Sequence, residues 1–147
     1  LHYNLGFALY HLGDYSTGAQ EFRCSTELKS DMKEAWYNLG CCYMQMNAYR
    51  DAIYALKVAL DIDPKYVNAM NNLAISLAET GDIDGAIEIL ERASDIREDA
   101  SVFYNLGLLY ARKNMKEKAE ECFEKAASID PQHIRALLGL RLIRASL

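Results

Sequence analysis

The sequence predicts an all-α protein, a right-handed α-solenoid of antiparallel helix pairs, and three observations lead to this fold class. First, a short motif recurs at a nearly constant interval. Its small last residue falls at Gly6, Gly40, Ala74 and Gly107, which are 34, 34 and 33 residues apart. Second, the apolar residues between these positions follow helical spacing. Third, only two prolines occur and helix-favouring residues dominate. A fixed period of this kind predicts stacked units in which each contacts only its neighbours.

The first helix of each unit is predicted from an apolar stripe and a stop residue. Within residues 33–66 the stripe runs from Ala35 to Tyr43, and Asn47 follows it. Gly and Asn tolerate the left-handed backbone that ends many helices. The same place holds one of these two residue types in every unit: Gly13, Asn47, Gly81 and Asn114.

The second helix of each unit is predicted from another apolar series and a closing turn. Within residues 33–66 this series runs from Ala52 to Ala59, and Pro64 ends it because proline lacks an amide proton. Small residues predict where the two helices of a unit meet and approach closely. These facing pairs are Gly6 with Gly18, Gly40 with Ala52, Ala74 with Ala86, and Gly107 with Ala119.

The positions that define the two helices carry a resemblance to a known family. The series Trp36, Leu39, Gly40, Tyr43, Ala52, Leu56, Ala59 and Pro64 resembles the tetratricopeptide repeat, a helix–turn–helix unit of about 34 residues. Residues 103–131 match that pattern equally well. The resemblance implies that the first helices line a concave face. It also implies a scaffold for protein–protein interaction, with an open surface in place of a deep catalytic pocket.

We expect four repeats and one final helix along the chain. Repeat 1 occupies residues 1–32 and is truncated at its amino end, repeat 2 occupies 33–66, repeat 3 occupies 67–99, and repeat 4 occupies 100–133. Residues 134–147 are expected to form a C-terminal capping helix that presents Arg135, Arg141 and Arg144 to solvent. Repeat 3 is one residue short and its closing turn lacks proline, which predicts a local change of superhelical pitch before repeat 4.

Composition argues against several classes of function. The formal charge of −5, with mixed signs, argues against a nucleic-acid binder. No apolar run is long enough to span a bilayer. The four cysteines match no zinc spacing, and free thiols favour a reducing compartment, so we expect a cytoplasmic location. The sequence holds no Gly-rich phosphate loop, nucleophile elbow or HExxH motif, so we expect no catalytic residue, metal or cofactor.

The candidate binding site follows from the geometry that the resemblance implies. Asn recurs beside the small residue of each first helix, and these four side chains are named the Asn ladder: Asn4, Asn38, Asn72 and Asn105. An Asn amide can bond both groups of an extended peptide backbone. Asn71 and several apolar and aromatic residues are expected to line the same groove: Tyr3, Phe7, Tyr37, Cys41, Ile75, Tyr104 and Leu108.

Two interpretations of the Asn ladder stand side by side. The ladder is similar to the one in the superhelical arm of O-linked N-acetylglucosamine transferase, which implies that it holds an extended polypeptide. Alternatively, the amides tie neighbouring helices together. A heat-shock protein's terminal carboxylate is not the expected ligand, because the slots that would supply a cation hold none: Tyr3, Phe7, Asn38, Asn68 and Asn72.

Three functions are consistent with this sequence. The first is a non-catalytic scaffold that binds an extended peptide segment in its concave groove. The second is the substrate-recruiting arm of a larger enzyme. The third is self-association, because the first helix offers an apolar edge that lacks an upstream neighbour: Leu5, Ala8, Leu9 and Leu12.

Overall fold

The computed structural model describes all 147 residues and shows nine α-helices joined by short turns. Their bounds are α1 (His2–His11), α2 (Tyr15–Leu28), α3 (Lys33–Gln45), α4 (Tyr49–Ile62), α5 (Val67–Glu79), α6 (Ile83–Ile96), α7 (Ala100–Arg112), α8 (Lys116–Ile129) and α9 (Ile134–Ser146). Each helix packs against its neighbours in sequence. The predicted all-α solenoid is confirmed. None of the helices has the length and apolar character that crossing a membrane requires.

The two layers of the array differ in how closely their helices approach. The odd-numbered helices contact one another in turn, from α1 with α3 to α7 with α9. The even-numbered helices do not, since no Cα atoms of successive members come within 8 Å. A layer whose members lie closer together is the inner side of a curve. The odd-numbered helices therefore form the concave face, as the resemblance implied.

The turn inside each repeat confirms the predicted stop residues. The backbone φ is +58° at Asn47, +60° at Asn114, +85° at Gly13 and +98° at Gly81, so each lies in the left-handed region. The following amide then bonds back to the helix, as from Ala48 N to the Tyr43 carbonyl at 2.8 Å. This arrangement satisfies carbonyls that the end of a helix leaves free.

The small residues of the first helices accommodate large side chains of the second helices. A Cβ atom at Gly40 would lie 2.7 Å from Leu56 Cγ, and one at Gly107 would lie 2.7 Å from Phe123 Cε1. The nearest side chain is thus the large residue one turn after the expected small partner. Leu56 is fully buried and Phe123 nearly so. The largest apolar core cluster extends from α5 to α9.

The three arginines of the final helix are exposed, as expected, but they differ in their contacts. Arg144 bonds through Nε to Glu120 at 2.8 Å and through Nη2 to Glu124 at 2.5 Å, so it is held against α8. Arg135 lines a cavity of the concave face. Neither Arg135 nor Arg141 takes part in an ion pair. The rest of the outer face of α9 is apolar and exposed: Ile134, Leu137, Leu138 and Leu142.

The shortened turn between repeats 3 and 4 is closed by Arg97. Its Nη2 donates to Asn68 Oδ1 at 3.0 Å and to Asp99 Oδ2 at 2.7 Å. Asp99 in turn accepts from the Ser101 amide at 2.9 Å and so begins α7. These contacts give the turn a structure without proline. The change of superhelical pitch stays a prediction.

Candidate functional site

The Asn ladder lies on the concave layer and links neighbouring first helices. Asn38 Nδ2 donates to the Tyr3 hydroxyl at 3.0 Å, across the gap between α1 and α3. Asn72 Nδ2 donates to the Tyr37 hydroxyl at 3.3 Å, across the gap between α3 and α5. Each bond joins an Asn to the aromatic residue that precedes the corresponding Asn one repeat earlier. The geometry therefore supports the interpretation in which the amides tie helices together.

The third link of the ladder is made between two amides. Asn105 Nδ2 donates to Asn71 Oδ1 at 2.8 Å, because repeat 3 has Asn71 where its neighbours have tyrosine. Asn72 also donates to Cys41 Sγ at 3.3 Å. Asn4 has no first helix before it in the chain and is exposed. Three of the four ladder residues thus make the same kind of interhelical contact.

The interhelical bonds leave hydrogen-bonding capacity on each ladder residue. An Asn side chain has an acceptor oxygen and two N–H donors. In Asn38 and in Asn105 the side-chain nitrogen donates one hydrogen bond, and the side-chain oxygen accepts none from the rest of the chain. Both side chains are half-buried on first helices of the concave layer. The ladder is compatible with binding a ligand while it holds the helices.

Tyr37, Cys41 and Tyr66 form a sheltered group at the middle of the groove. The Tyr37 ring lies 5.1 Å from the Tyr66 ring, centroid to centroid, at 41°. Burial raises the pKa of Tyr37 and of the Cys41 thiol. Burial, aided by the charge of Glu34, raises the pKa of Tyr66 to about 12. All three groups are therefore neutral at physiological pH, and this part of the groove carries no thiolate nucleophile.

The ladder ends at Gly139, which the sequence analysis did not identify. Gly139 lies 34 residues after Asn105 and occupies the same place in α9. A Cβ there would approach Phe123 Cε1 to 2.9 Å, so the place has no room for an amide side chain. The Tyr104 hydroxyl consequently has no ladder partner, and its ring packs at 5.1 Å from that of His133. Extending the period by one more step along the sequence would have shown this.

A cavity of about 310 Å³ opens on the concave face between α5, α7 and α9, and we name it the groove cavity. It gathers four of the predicted site residues, namely Ile75, Tyr104, Asn105 and Leu108. Its other lining residues are Ala74, Ala78, Glu79, Leu90, Leu109, Arg112 and Arg135. Phe7 lies at the opposite end of the array, where its ring packs 4.4 Å from His11. The predicted site therefore divides into a cavity and a more open stretch.

A larger cavity of about 540 Å³ lies on the outer side, and sequence reasoning missed it. It is lined by residues of α2, α3 and α4, including Trp36, Tyr54 and Arg23. Tyr54 is 65% exposed, whereas the same place in the other repeats holds Gln20, Glu88 and Glu121. Arg23 shares this cavity with Glu27 and Asp51, so its charges are mixed in sign.

An array of helix pairs with an open inner face is a repeat scaffold, and comparison with known proteins gives its family. Models of the tetratricopeptide repeat match residues 3–67, 43–107 and 100–133. The chain belongs to the tetratricopeptide repeat superfamily. The repeat family and the relatives that share it support a protein-interaction scaffold.

Several relatives share this repeat array. BBSome complex member BBS4 of Bos taurus is 28% identical over 90% of this chain and 25% of its own length. Protein O-mannosyl-transferase TMTC3 of Homo sapiens is 30% identical over 80% of this chain and 13% of its own length. The crystal structure of MamA has a TM-score of 0.87 at 27% identity and covers 96% of this chain and 83% of that one. The chain thus spans a quarter or less of these two curated relatives.

Proposed function

We propose that the chain binds an extended segment of a partner protein along the concave layer of first helices. The observation that carries this proposal is the row of half-buried amides at Asn38, Asn72 and Asn105, each with an uncommitted acceptor oxygen or donor. The row lies on the inner face and leads to the groove cavity. An extended backbone offers donors and acceptors that complement such a row.

The spacing of the ladder sets the number of ligand residues that each amide would contact. Packed helices lie about 8–10 Å apart, and an extended chain rises about 3.3 Å per residue. Each step along the ladder therefore corresponds to about three ligand residues by these values. Each hydrogen bond between the ligand backbone and a ladder amide contributes a net ~0.5–1.5 kcal/mol. A few such hydrogen bonds, together with aromatic contacts, support affinities near the micromolar range.

The experiment separates ligand binding from the interhelical role of the same amides. The Asn38→Ala/Asn72→Ala variant removes both functions of two ladder residues. Its matched control, Tyr3→Phe/Tyr37→Phe, removes the interhelical acceptors but keeps both amides. We expect both variants to lose thermal stability, and only the alanine variant to lose affinity for peptides selected from a random display library.

If the alanine variant binds such peptides as tightly as the unmodified chain, the ladder has no part in recognition. Affinity is compared well below the midpoint of thermal unfolding, so that a difference in folding does not count as a difference in binding. Asn105→Ala serves as a third variant, because its acceptor is Asn71 and no tyrosine is involved.

A second candidate function is the substrate-recruiting arm of a larger enzyme. The match to a relative named Protein O-mannosyl-transferase supports this candidate. In that case the groove would deliver polypeptide substrates to a separate catalytic domain. A transferase assay on a full-length protein that contains these repeats would test it: the ladder variant should raise KM for polypeptide substrates, and no transfer at all would remove the candidate.

Self-association is a third candidate, supported by apolar side chains that are exposed at both ends of the array. Leu5 and Leu12 of α1 are 46% and 82% exposed, and Ile134 and Leu142 of α9 are both 71% exposed. Light scattering over a concentration series tests this candidate, with Leu5→Lys/Leu12→Lys as the comparison. A monomeric mass at every concentration would dismiss it.

A further inference from the structure

The groove cavity contains two arginines that have no partner within the chain. Arg112 ends α7 and Arg135 begins α9, and both line the cavity. Neither takes part in any ion pair of the structure, and neither makes a side-chain hydrogen bond to another residue. By contrast, Arg144 is paired twice with carboxylates of α8.

The two arginines lie together at the α7–α9 end of the groove, in a protein whose net charge is negative. The formal charge of the chain is −5. The places that correspond to Arg112 in the earlier repeats hold His11, Gln45 and Glu79, and those that correspond to Arg135 hold Glu34, Asn68 and Ser101. A concave site with a net charge attracts ligands of the opposite sign, and Arg112 and Arg135 outnumber Glu79, the one acidic residue of the lining. The unpaired arginines therefore distinguish the α7–α9 end of the groove from the rest.

Most of the other residues that line the cavity are apolar. Ile75, Ala78 and Leu108 are among them, and the volume of about 310 Å³ is at the lower end of ligand pockets, which range over ~300–1,000 Å³. Such a space suits one aliphatic side chain of a peptide. Tyr104 lines the same space, and its hydroxyl makes no hydrogen bond to another side chain because the ladder ends at Gly139.

We propose that the groove cavity recognises one part of the bound peptide, a short sequence in which an aliphatic residue is next to Asp or Glu. One aliphatic side chain enters between Ile75 and Leu108, and neighbouring Asp or Glu side chains of the ligand bond to Arg112 and Arg135. Arginine presents a fork of N–H donors that matches the two oxygens of a carboxylate. This inference rests on the proposed function and names the class of peptide that this site takes.

Glu79 favours a carboxylate over a phosphate as the ligand group. It lines the same cavity and carries a negative charge, so the three charged residues leave a net charge of one positive unit. A dianionic phosphate would meet stronger repulsion from Glu79 than a monoanionic carboxylate. The ligand acid is expected to be a side chain of a segment that also lies along the ladder, because the ladder leads to the cavity.

The test uses a display library of random decapeptides selected on the unmodified chain and, in parallel, on Arg112→Glu/Arg135→Glu. Arg141→Glu is the matched control, because Arg141 lies exposed on the same helix α9, has no ion pair and does not line the cavity. Thermal unfolding checks that each variant is folded. We expect peptides from the unmodified chain and the control to be enriched in Asp or Glu beside Leu, Ile, Val or Met, and peptides from the double variant to lose that enrichment.

The affinity of one selected peptide is then measured under changed conditions. Replacing its acids by the matching amides, or using Arg112→Gln/Arg135→Gln, should weaken binding about tenfold or more, as expected for lost charge-assisted bonds. Binding should also weaken with ionic strength. A phosphoserine peptide that binds more tightly than its glutamate counterpart would overturn the choice of carboxylate.

The outcomes distinguish this inference from the proposed function. Ladder-dependent peptides without acidic enrichment would overturn the acidic–apolar class and leave extended-peptide binding in place. The same motif on the unmodified chain and on the double glutamate variant would also overturn it. A selection that yields no peptide on any of the folded proteins would overturn both.

Discussion

The side-chain amide of Asn72 donates to the hydroxyl of Tyr37, 35 residues earlier in the chain, at 3.3 Å. The bond crosses from one repeat to the next on the concave face. Equivalent bonds join Asn38 to Tyr3 and Asn105 to Asn71. The residues that were expected to meet a ligand therefore also contribute to the cohesion of the array.

Asn72→Ala should lower the free energy of unfolding by about 0.5–1.5 kcal/mol for the bond to Tyr37, and by a further amount for the weaker bond to Cys41 Sγ. Tyr37→Phe should lower it by a similar amount, because it removes the acceptor of the same bond. The double variant should then cost less than the sum of the two single changes. Urea unfolding of all four proteins measures this coupling. Strict additivity would show that the bond does not contribute to stability.

Gly40→Ala should destabilise the array through overpacking, by about 1–3 kcal/mol. The added methyl would lie 2.7 Å from Leu56 Cγ, which is fully buried and has little room to move. Gly40→Leu should cost more. The midpoint of thermal unfolding is the measurement.

Gly18→Ala provides the matched control for that prediction. Its added methyl would find its nearest atoms at 3.4 and 3.5 Å, which is ordinary contact. Alanine also favours helix over glycine by about 1 kcal/mol. Gly18→Ala should therefore be neutral or stabilising. Equal losses at the two glycines would refute the packing argument.

Ser76→Ala should stabilise the protein by about 1 kcal/mol, because it removes a buried polar group that lacks a partner. Ser76 is fully buried in α5, and its hydroxyl makes no hydrogen bond. Ser128→Ala, at an exposed position of α8, controls for the better helix propensity of alanine. A gain in the unfolding free energy at Ser76 that does not exceed the gain at Ser128 would contradict this account.

Stability should fall as the pH rises above about 9. Burial raises the pKa of the Cys42 thiol from 9.0 to about 12 and that of Cys122 from 9.0 to about 11. In this range the unfolded chain has lost protons that the folded chain keeps, so the folded state binds more protons. The stabilisation is complete below the unfolded pKa and is lost as the pH rises through the folded values.

Thermal unfolding between pH 8 and pH 11 measures this loss, where the upper limit is the folded pKa of Cys122. The Cys42→Ala/Cys122→Ala variant should show a shallower decline of the midpoint with pH. The comparison concerns the slope, because alanine also changes the packing at the buried Cys42. A slope identical to that of the unmodified chain would show that these thiols do not cause the decline.

Much of the fold could be predicted because it depends on residues that are close together in the sequence. The positive φ angles at Asn47 and Asn114 follow from residues that tolerate that backbone, and the helix pairs follow from a repeated apolar pattern. Gly139 was equally accessible, since it continues the same count from Asn105.

The side-chain partners could not be predicted in the same way. The bond between Asn38 and Tyr3 depends on the tertiary register of two helices 35 residues apart in sequence. Arg144 reaches back to α8, whereas Arg135 lines the groove cavity. Both are surface arginines of α9, and their spacing of nine residues puts them on opposite faces of the helix. The residues that each face meets depend on how α9 packs against its neighbours. Periodicity gives the face of a helix but not the contacts of a long flexible side chain.

Every recorded bond of the ladder runs the same way, from an Asn nitrogen to a side chain nearer the amino terminus. The row is therefore directional, and it stops at Gly139. An extended strand presents its backbone donors and acceptors to the row of amides in a certain order. The same strand in the reverse orientation presents them in a different order. A peptide and its retro-sequence should consequently differ in affinity, and the groove should bind its ligand in a single chain orientation.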